Sequence, residues 1–258
     1  METSITLMQT NILFGGMRRN YEIVSDTLMN NDCGEIVLLP ELWSSSYDLE
    51  NTVRICEENA ELLIQLRQLA SLKKVFLGGS LLEARAGEVY NTFHLIDPSG
   101  EICADYQKIH LFRLLNEEKW MSPGSKFITI DFPWGRAGLA ICYDLRFPEL
   151  FRRYALMGCK MILLVAEWPL RRIQHWKILL QARAIENQLF IAAVNTVGQS
   201  GDYVYSGTSL IINPWGEVLA EGSLSQPDLV QASIDLSQVQ RVRKSMPVFE
   251  DRRLDLYT

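Results

Sequence analysis

The sequence predicts an α/β fold. Three observations predict it: short apolar runs of strand length, longer stretches with apolar residues at helical spacing, and regular alternation of the two along 258 residues. With 48% hydrophobic residues, the chain can fill a substantial core without a covalent staple.

The first run, ITLMQ (5–9), reads as a buried strand. EIVLLP (35–40) is a second, closed by a proline that cannot donate to a sheet ladder. NTVRICEENAELLIQLRQLASLKK (51–74) carries the helical period and leads into the strand VFLGGSLL (75–82). NTFHLIDPSGEICADY (91–106) reads as two strands joined by a Pro and Gly turn. The pattern then repeats. The strand AGLAIC (137–142) is followed by the helical PELFRRYALMG (148–158), with Pro148 suited to a first helical turn. MILLVA (161–166), the helical HWKILLQARAIENQ (175–188) and FIAAVN (190–195) come next, and SGTSLIINPWGEVLAEG (206–222) forms a second Pro and Gly hairpin. The likeness of the two hairpins implies an internal duplication. No Ser-, Pro- or Gly-rich linker separates the halves, so one domain spanning 1–258 is expected.

Charge and cysteine usage narrow the function. The 31 acidic residues outnumber 25 basic ones, for a net charge of −6, the wrong sign for a nucleic-acid partner. The five cysteines (Cys33, Cys56, Cys103, Cys142 and Cys159) are odd in number and include no CxxC pair, which suggests neither a disulfide framework nor a zinc site. The N-terminus lacks the basic start and long apolar stretch of a secretion signal, and no run reaches the length of a membrane span. A reducing cytoplasm is the expected compartment.

Three residues fall where chemistry is expected. Glu41 follows IVLLP and should sit at the carboxyl edge of a strand, where open α/β sheets bind ligands. Cys142 stands at the strand-to-helix junction of GLAICYDLRFPEL, exposed at the sheet edge with backbone N–H groups nearby. Lys108 follows the first hairpin. Taken singly, each has a bland reading: a solvated glutamate, a buried structural cysteine, a surface lysine. Together they answer the demands of amide hydrolysis. An amide is a poor electrophile with a poor leaving group, so a thiol that attacks it needs a base, an oxyanion donor and a proton for the amine. A carboxylate can shuttle the proton, and a lysine beside the sulfur favours thiolate and holds the oxyanion. A Cys/His hydrolase is the rival. His94 falls within a strand and His175 in a helical pattern, leaving His110 as the alternative base.

LLPELW around Glu41, YQKIHLF around Lys108 and ICYDLRFPEL around Cys142 together resemble, in order, the three catalytic motifs of the nitrilase (carbon-nitrogen hydrolase) superfamily. The resemblance continues through AEWPLRRIQHWKILLQARAIENQ, AAVNTVG and SGTSLIINPWGEVLAEG to MPVFEDRRLDLY, and so spans essentially the whole chain. HLFR, CYDLRFPE, AEWP and RAIENQ are most similar to the ω-amidase branch, in particular bacterial 2-oxoglutaramate amidases associated with methionine salvage. The resemblance implies a four-layer αββα sandwich with internal pseudo-symmetry, a Cys-Glu-Lys triad, a thioester intermediate and no metal or organic cofactor. It also implies a homodimer or larger homo-oligomer, and the closing segment VRKSMPVFEDRRLDLYT is read as part of that interface. A supporting second glutamate is expected in NEEK, at Glu117 in preference to Glu118. The Tyr143 N–H is expected as a second oxyanion donor, and Trp168 at the pocket wall.

The implied substrate is a small amide, such as 2-oxoglutaramate or 2-oxosuccinamate. Its carboxylate calls for a local cation, with Arg113 the first choice and Arg146 the second. Deaminated glutathione or an N-carbamoyl compound would suit the same triad, because the triad does not encode the acyl group. A non-catalytic binding protein on the same fold is the alternative from another class.

Overall fold

The computed structural model describes residues 2–256; Tyr257 and Thr258 of the closing segment lie outside them. In chain order, the first half comprises β1 (Glu2–Gln9), α1 (Met17–Asn30), β2 (Ile36–Leu38), α2 (Thr52–Lys73), β3 (Phe76–Arg85), β4 (Glu88–Ile96) and β5 (Ile102–Gln107). The second comprises β6 (Thr129–Phe132), β7 (Gly135–Ile141), α3 (Pro148–Leu156), β8 (Met161–Ala166), α4 (Ile173–Asn187), β9 (Phe190–Asn195), β10 (Val197–Ser200), β11 (Tyr203–Ser206), β12 (Leu210–Ile212) and β13 (Val218–Glu221). β14 (Asp228–Asp235) and α5 (Gln238–Ser245) close the chain.

The strands build two six-stranded sheets, in the orders β14-β1-β2-β3-β4-β5 and β13-β12-β9-β8-β7-β6. Side-chain alternation fixes their place in a layered stack. Ile5, Leu7, Ile36 and Leu38 point into a core shared with Ile162, Leu164, Ile191 and Ala193 of the other sheet. Met8, Val37, Leu39 and Leu77 point outward against Val24 and Leu28 of α1 and Leu62, Leu66 and Leu69 of α2. On the far side, Phe151 and Tyr154 of α3 and Leu180 and Ala184 of α4 cover β7–β9. The result is the αββα sandwich. Both strand faces are buried, which is why the runs are continuously apolar.

The halves share one topology. In each sheet three parallel strands (β1, β2, β3 or β7, β8, β9) are followed by two antiparallel ones (β4, β5 or β12, β13), and an antiparallel edge strand, β14 or β6, flanks the first. The hairpin turns match atom for atom. Asp97 Oδ1 accepts from the Ser99 and Glu101 N–H groups, and Asn213 Oδ1 accepts from those of Trp215 and Glu217. Gly100 and Gly216 take φ values of +87° and +83°, a region costly for residues with a Cβ. Each turn docks on its preceding helix: Arg67 Nε donates to the Gly100 carbonyl and Gln181 Nε2 to the Gly216 carbonyl. These equivalences support the duplication.

The sequence reading omits α1, β6, β10, β11, β14 and α5. The buried stripe of α1 (Met17, Asn20, Val24, Leu28) contains a polar residue, which masks its period; Asn20 Nδ2 is satisfied by the carbonyls of Leu13 and Ser44. Among the described residues no helix is long and apolar enough to cross a membrane.

Candidate active site

Glu41, Lys108 and Cys142 come from three separate strand ends and meet at one place. β2 ends at Leu38, and the chain turns through Pro40 so that Glu41 is wholly buried at the sheet's carboxyl edge. The Leu42 N–H is held by Ser80 Oγ at 2.9 Å, and Leu42 and Ser46 take positive φ values as the loop closes. Glu41 Oε1 accepts from Lys108 Nζ at 2.8 Å and Asn91 Nδ2 at 2.9 Å, and its Oε2 accepts from the Glu167 N–H at 3.0 Å.

Lys108 follows β5, where its N–H donates to the Asn91 carbonyl. Asn91 therefore steers both the lysine backbone and the glutamate side chain. Lys108 Nζ also donates to Glu117 Oε1 at 2.8 Å, while Tyr47 OH donates to the same oxygen and the Phe112 N–H to Oε2. Glu117 is buried and Glu118 exposed. Burial works against the ammonium charge of Lys108, but Glu117 and Glu41 outweigh it and hold the group protonated above its ordinary range.

Cys142 directly follows β7 with φ +44°, a left-handed conformation that strains a residue with a Cβ, and it opens the 3-10 turn Cys142–Arg146 before Pro148 starts α3. Asp144 braces this elbow. Its Oδ2 accepts from the Ile141 N–H and Tyr106 OH, and its Oδ1 from the His110 N–H, with His110 Nδ1 at 2.7 Å. His110 also stacks on Phe147 with ring centroids 3.6 Å apart, so it is fixed as a brace. None of the three histidines lines the cavity at Cys142.

Burial, then the Glu41 charge, pushes the Cys142 thiol well above its usual range, with Lys108 opposing. Lys108 favours the thiolate, as expected of a lysine beside the sulfur, but burial and Glu41 outweigh it, leaving the thiol beside a carboxylate able to accept its proton.

Cys142 opens onto a small cavity. Tyr143, Arg146 and Trp168 line it, as the sequence suggested, and so do Glu167, Arg172 and Tyr205, which sequence reasoning passed over. The Trp168 indole is pinned by Nε1 donating to the Arg172 carbonyl, and the Arg146 guanidinium lies 4.7 Å from its ring centroid. Arg172 lies 5.2 Å from the Phe112 ring centroid. Among the described residues neither arginine makes an ion pair with a carboxylate. Burial, then Arg171 and Arg146, lowers the Arg172 pKa, the signature of a cationic wall without a counter-ion. Arg113, the first choice for an anchor, does not line this cavity. It is exposed in the 3-10 turn Arg113–Leu115, whose course carries it to a separate groove with His110, Leu111 and Phe147. Among the described residues no group of three or more His, Cys, Asp or Glu side chains is placed to hold a metal ion.

The model of the carbon-nitrogen hydrolase family matches residues 21–244. The chain is 39% identical to the 2-oxoglutaramate amidase of Bacillus subtilis (strain 168), with 100% of both chains covered. Among solved structures it resembles a CN-hydrolase superfamily protein from Xanthomonas campestris, at TM-score 0.92 and 28% identity over 98% of this chain and 97% of that one. It also resembles an amidase from Nesterenkonia sp. AN1, at TM-score 0.86 and 26% identity over 98% and 95% of the two chains. A mutant of that amidase carries the acetamide moiety of fluoroacetamide covalently on its active-site cysteine.

Proposed function

The chain belongs to the carbon-nitrogen hydrolase family and is an amide-hydrolysing enzyme, and from that premise we propose that it hydrolyses the terminal amide of a small 2-oxo acid to a dicarboxylate and ammonia. 2-Oxoglutaramate and 2-oxosuccinamate are the substrates that suit it, as the name of the Bacillus relative suggests for the first. The observation that carries the reading is the buried Cys142, Glu41 and Lys108 cluster together with two arginines lacking a carboxylate partner, Arg146 and Arg172, on the wall of the small cavity onto which Cys142 opens.

The chemistry follows from the geometry. Glu41 takes the Cys142 proton as sulfur attacks the amide carbon, so the thiolate exists only as it reacts. Lys108 Nζ and the Tyr143 N–H stabilise the tetrahedral oxyanion, a donor pair of the kind worth on the order of 100- to 1000-fold in rate per donor. Collapse breaks the C–N bond, and Glu41 returns its proton to the departing nitrogen. The acyl group then rests on Cys142 as a thioester. Glu41 next deprotonates an entering water, whose attack frees the carboxylate and restores the thiol. Glu117 keeps Lys108 aimed between the two carboxylates throughout. The guanidiniums of Arg146 and Arg172 hold the substrate carboxylate at the far wall, where bidentate geometry is available.

Ammonia release tests this reading. 2-Oxoglutaramate and 2-oxosuccinamate are compared with glutamine, a simple aliphatic amide and deaminated glutathione. Turnover concentrated on the 2-oxo acid amides is expected. Preference for deaminated glutathione would keep the mechanism and reject the substrate assignment.

A further inference from the structure

Among the described residues lining the cavity, Glu167 has the only carboxyl, and the reaction above does not use its side chain. It sits beside the reacting atoms: its N–H donates to Glu41 Oε2, and its carbonyl oxygen lies 3.9 Å from Cys142 Sγ. The residue is 3% exposed. Oε2 is bonded to Ser46 Oγ at 2.9 Å, whereas Oε1 has no hydrogen-bond partner, and the Tyr205 hydroxyl stands beside the carboxyl.

The groups facing Glu167 decide its charge. Glu41 and Lys108 approach from one side, Ser46 and Tyr205 from others, and Arg146 and Arg172 share the cavity wall. The ammonium of Lys108 is already bonded to Glu41 and Glu117, so it is not bonded to Glu167, which is bonded instead to the neutral Ser46 hydroxyl. A buried carboxylate without a paired cation is costly, and a second carboxylate beside it adds repulsion. Burial, then the Glu41 charge, accordingly pushes Glu167 well above the usual carboxylate range, against Ser46, Tyr205 and Lys108. The position of the proton follows from hydrogen-bond accounting. Among the described residues Ser46 Oγ has no other acceptor, so its hydrogen goes to Oε2. The proton of the carboxyl itself then lies on the unpartnered Oε1.

We propose that Glu167 determines specificity by donating Oε1–H to an acceptor oxygen, oxo or carboxylate, on the acyl chain of the bound amide. The inference rests on the amide-hydrolase reading and deepens it. The cavity then selects amides whose acyl chain carries such an oxygen, because a purely aliphatic chain leaves the Oε1 donor unsatisfied.

The test compares Glu167→Gln and Glu167→Leu with wild type on three substrates: 2-oxoglutaramate, the monoamide of glutaric acid, which lacks the oxo oxygen, and a simple aliphatic amide. Gln keeps an N–H donor and should preserve the KM for 2-oxoglutaramate. Leu removes the donor and should raise that KM by on the order of 10- to 100-fold, well beyond any change in the KM for the aliphatic amide. If the carboxylate is the acceptor, the glutaric monoamide suffers equally; if the oxo group is, it is spared. Infrared difference spectra of wild type against Glu167→Gln at neutral pH should show the carbonyl band of a protonated carboxyl, a readout independent of turnover and of whether the Leu variant folds. Absence of that band overturns the proposal. So does an equal loss on all three substrates, no loss on any, or a Gln variant as impaired as Leu. If wild type releases ammonia from no amide, the functional reading fails, and the infrared band still decides the state of Glu167.

Discussion

Lys108 Nζ lies 2.8 Å from Glu41 Oε1, and both side chains are fully buried. With Glu117 at the same distance, one cation holds two carboxylates out of water. Lys108→Met leaves both uncompensated and should cost about 3–5 kcal/mol of stability. It should also lower kcat by at least the order of 100- to 1000-fold expected of an oxyanion donor. Denaturant unfolding and steady-state kinetics read the two effects separately.

Glu117 and Glu118 should behave in opposite ways. In Glu117→Gln, the amide that replaces Oε2 would point its hydrogens at the Phe112 N–H, destabilising the protein by about 1–3 kcal/mol and lowering kcat. Glu118→Gln, at an exposed position, should stay within about 0.5 kcal/mol of wild type with unchanged kinetics. Equal effects would remove Glu117 from the supporting role.

The titration of Cys142 has a predictable sign. Burial and Glu41 raise its pKa and Lys108 lowers it, so the ultraviolet thiolate signal lost in Cys142→Ser should be missing near the ordinary thiol value of 9.0. Glu41→Gln removes one raising cause and should move that signal to lower pH. A wild-type thiolate already formed at neutral pH would contradict proton transfer to Glu41 during attack.

Substrate anchoring separates the arginines. Arg172→Met and Arg146→Met should each raise KM for 2-oxoglutaramate by on the order of 10- to 100-fold, with little change for an aliphatic amide. Arg113→Met, on the neighbouring groove, should change neither. A KM effect confined to Arg113→Met would return the anchor to the position suggested by its spacing from Lys108.

What the sequence made legible follows from where each signal resides. MILLVA and FIAAVN are strands over their full length, because a strand buried on both faces leaves a continuous apolar run. Glu41, Lys108 and Cys142 were legible because each abuts such a run or a hairpin and the motifs occur in order. The residues that aim them were not. Asn91, Asp144 and Tyr47 act through hydrogen bonds to partners 34 to 70 positions away, as in Asn91 to Glu41, Asp144 to His110 and Tyr47 to Glu117. Asp144 lies in CYDLR with no local sign of its role, yet is wholly buried. Arg172 was passed over because the isolated bridge between Pro169 and Tyr205, which places its segment beside the cavity, joins residues 36 positions apart, a long-range contact with no local signal.

The central claim is that catalysis passes through an acyl group on Cys142, and intact-mass measurement tests it most directly. Wild type mixed with 2-oxoglutaramate and quenched in acid during turnover should gain the mass of the acyl group, confined to the peptide bearing Cys142. Cys142→Ala should gain none and release no ammonia. Turnover by wild type without any adduct, together with ammonia release by Cys142→Ala, would contradict the account.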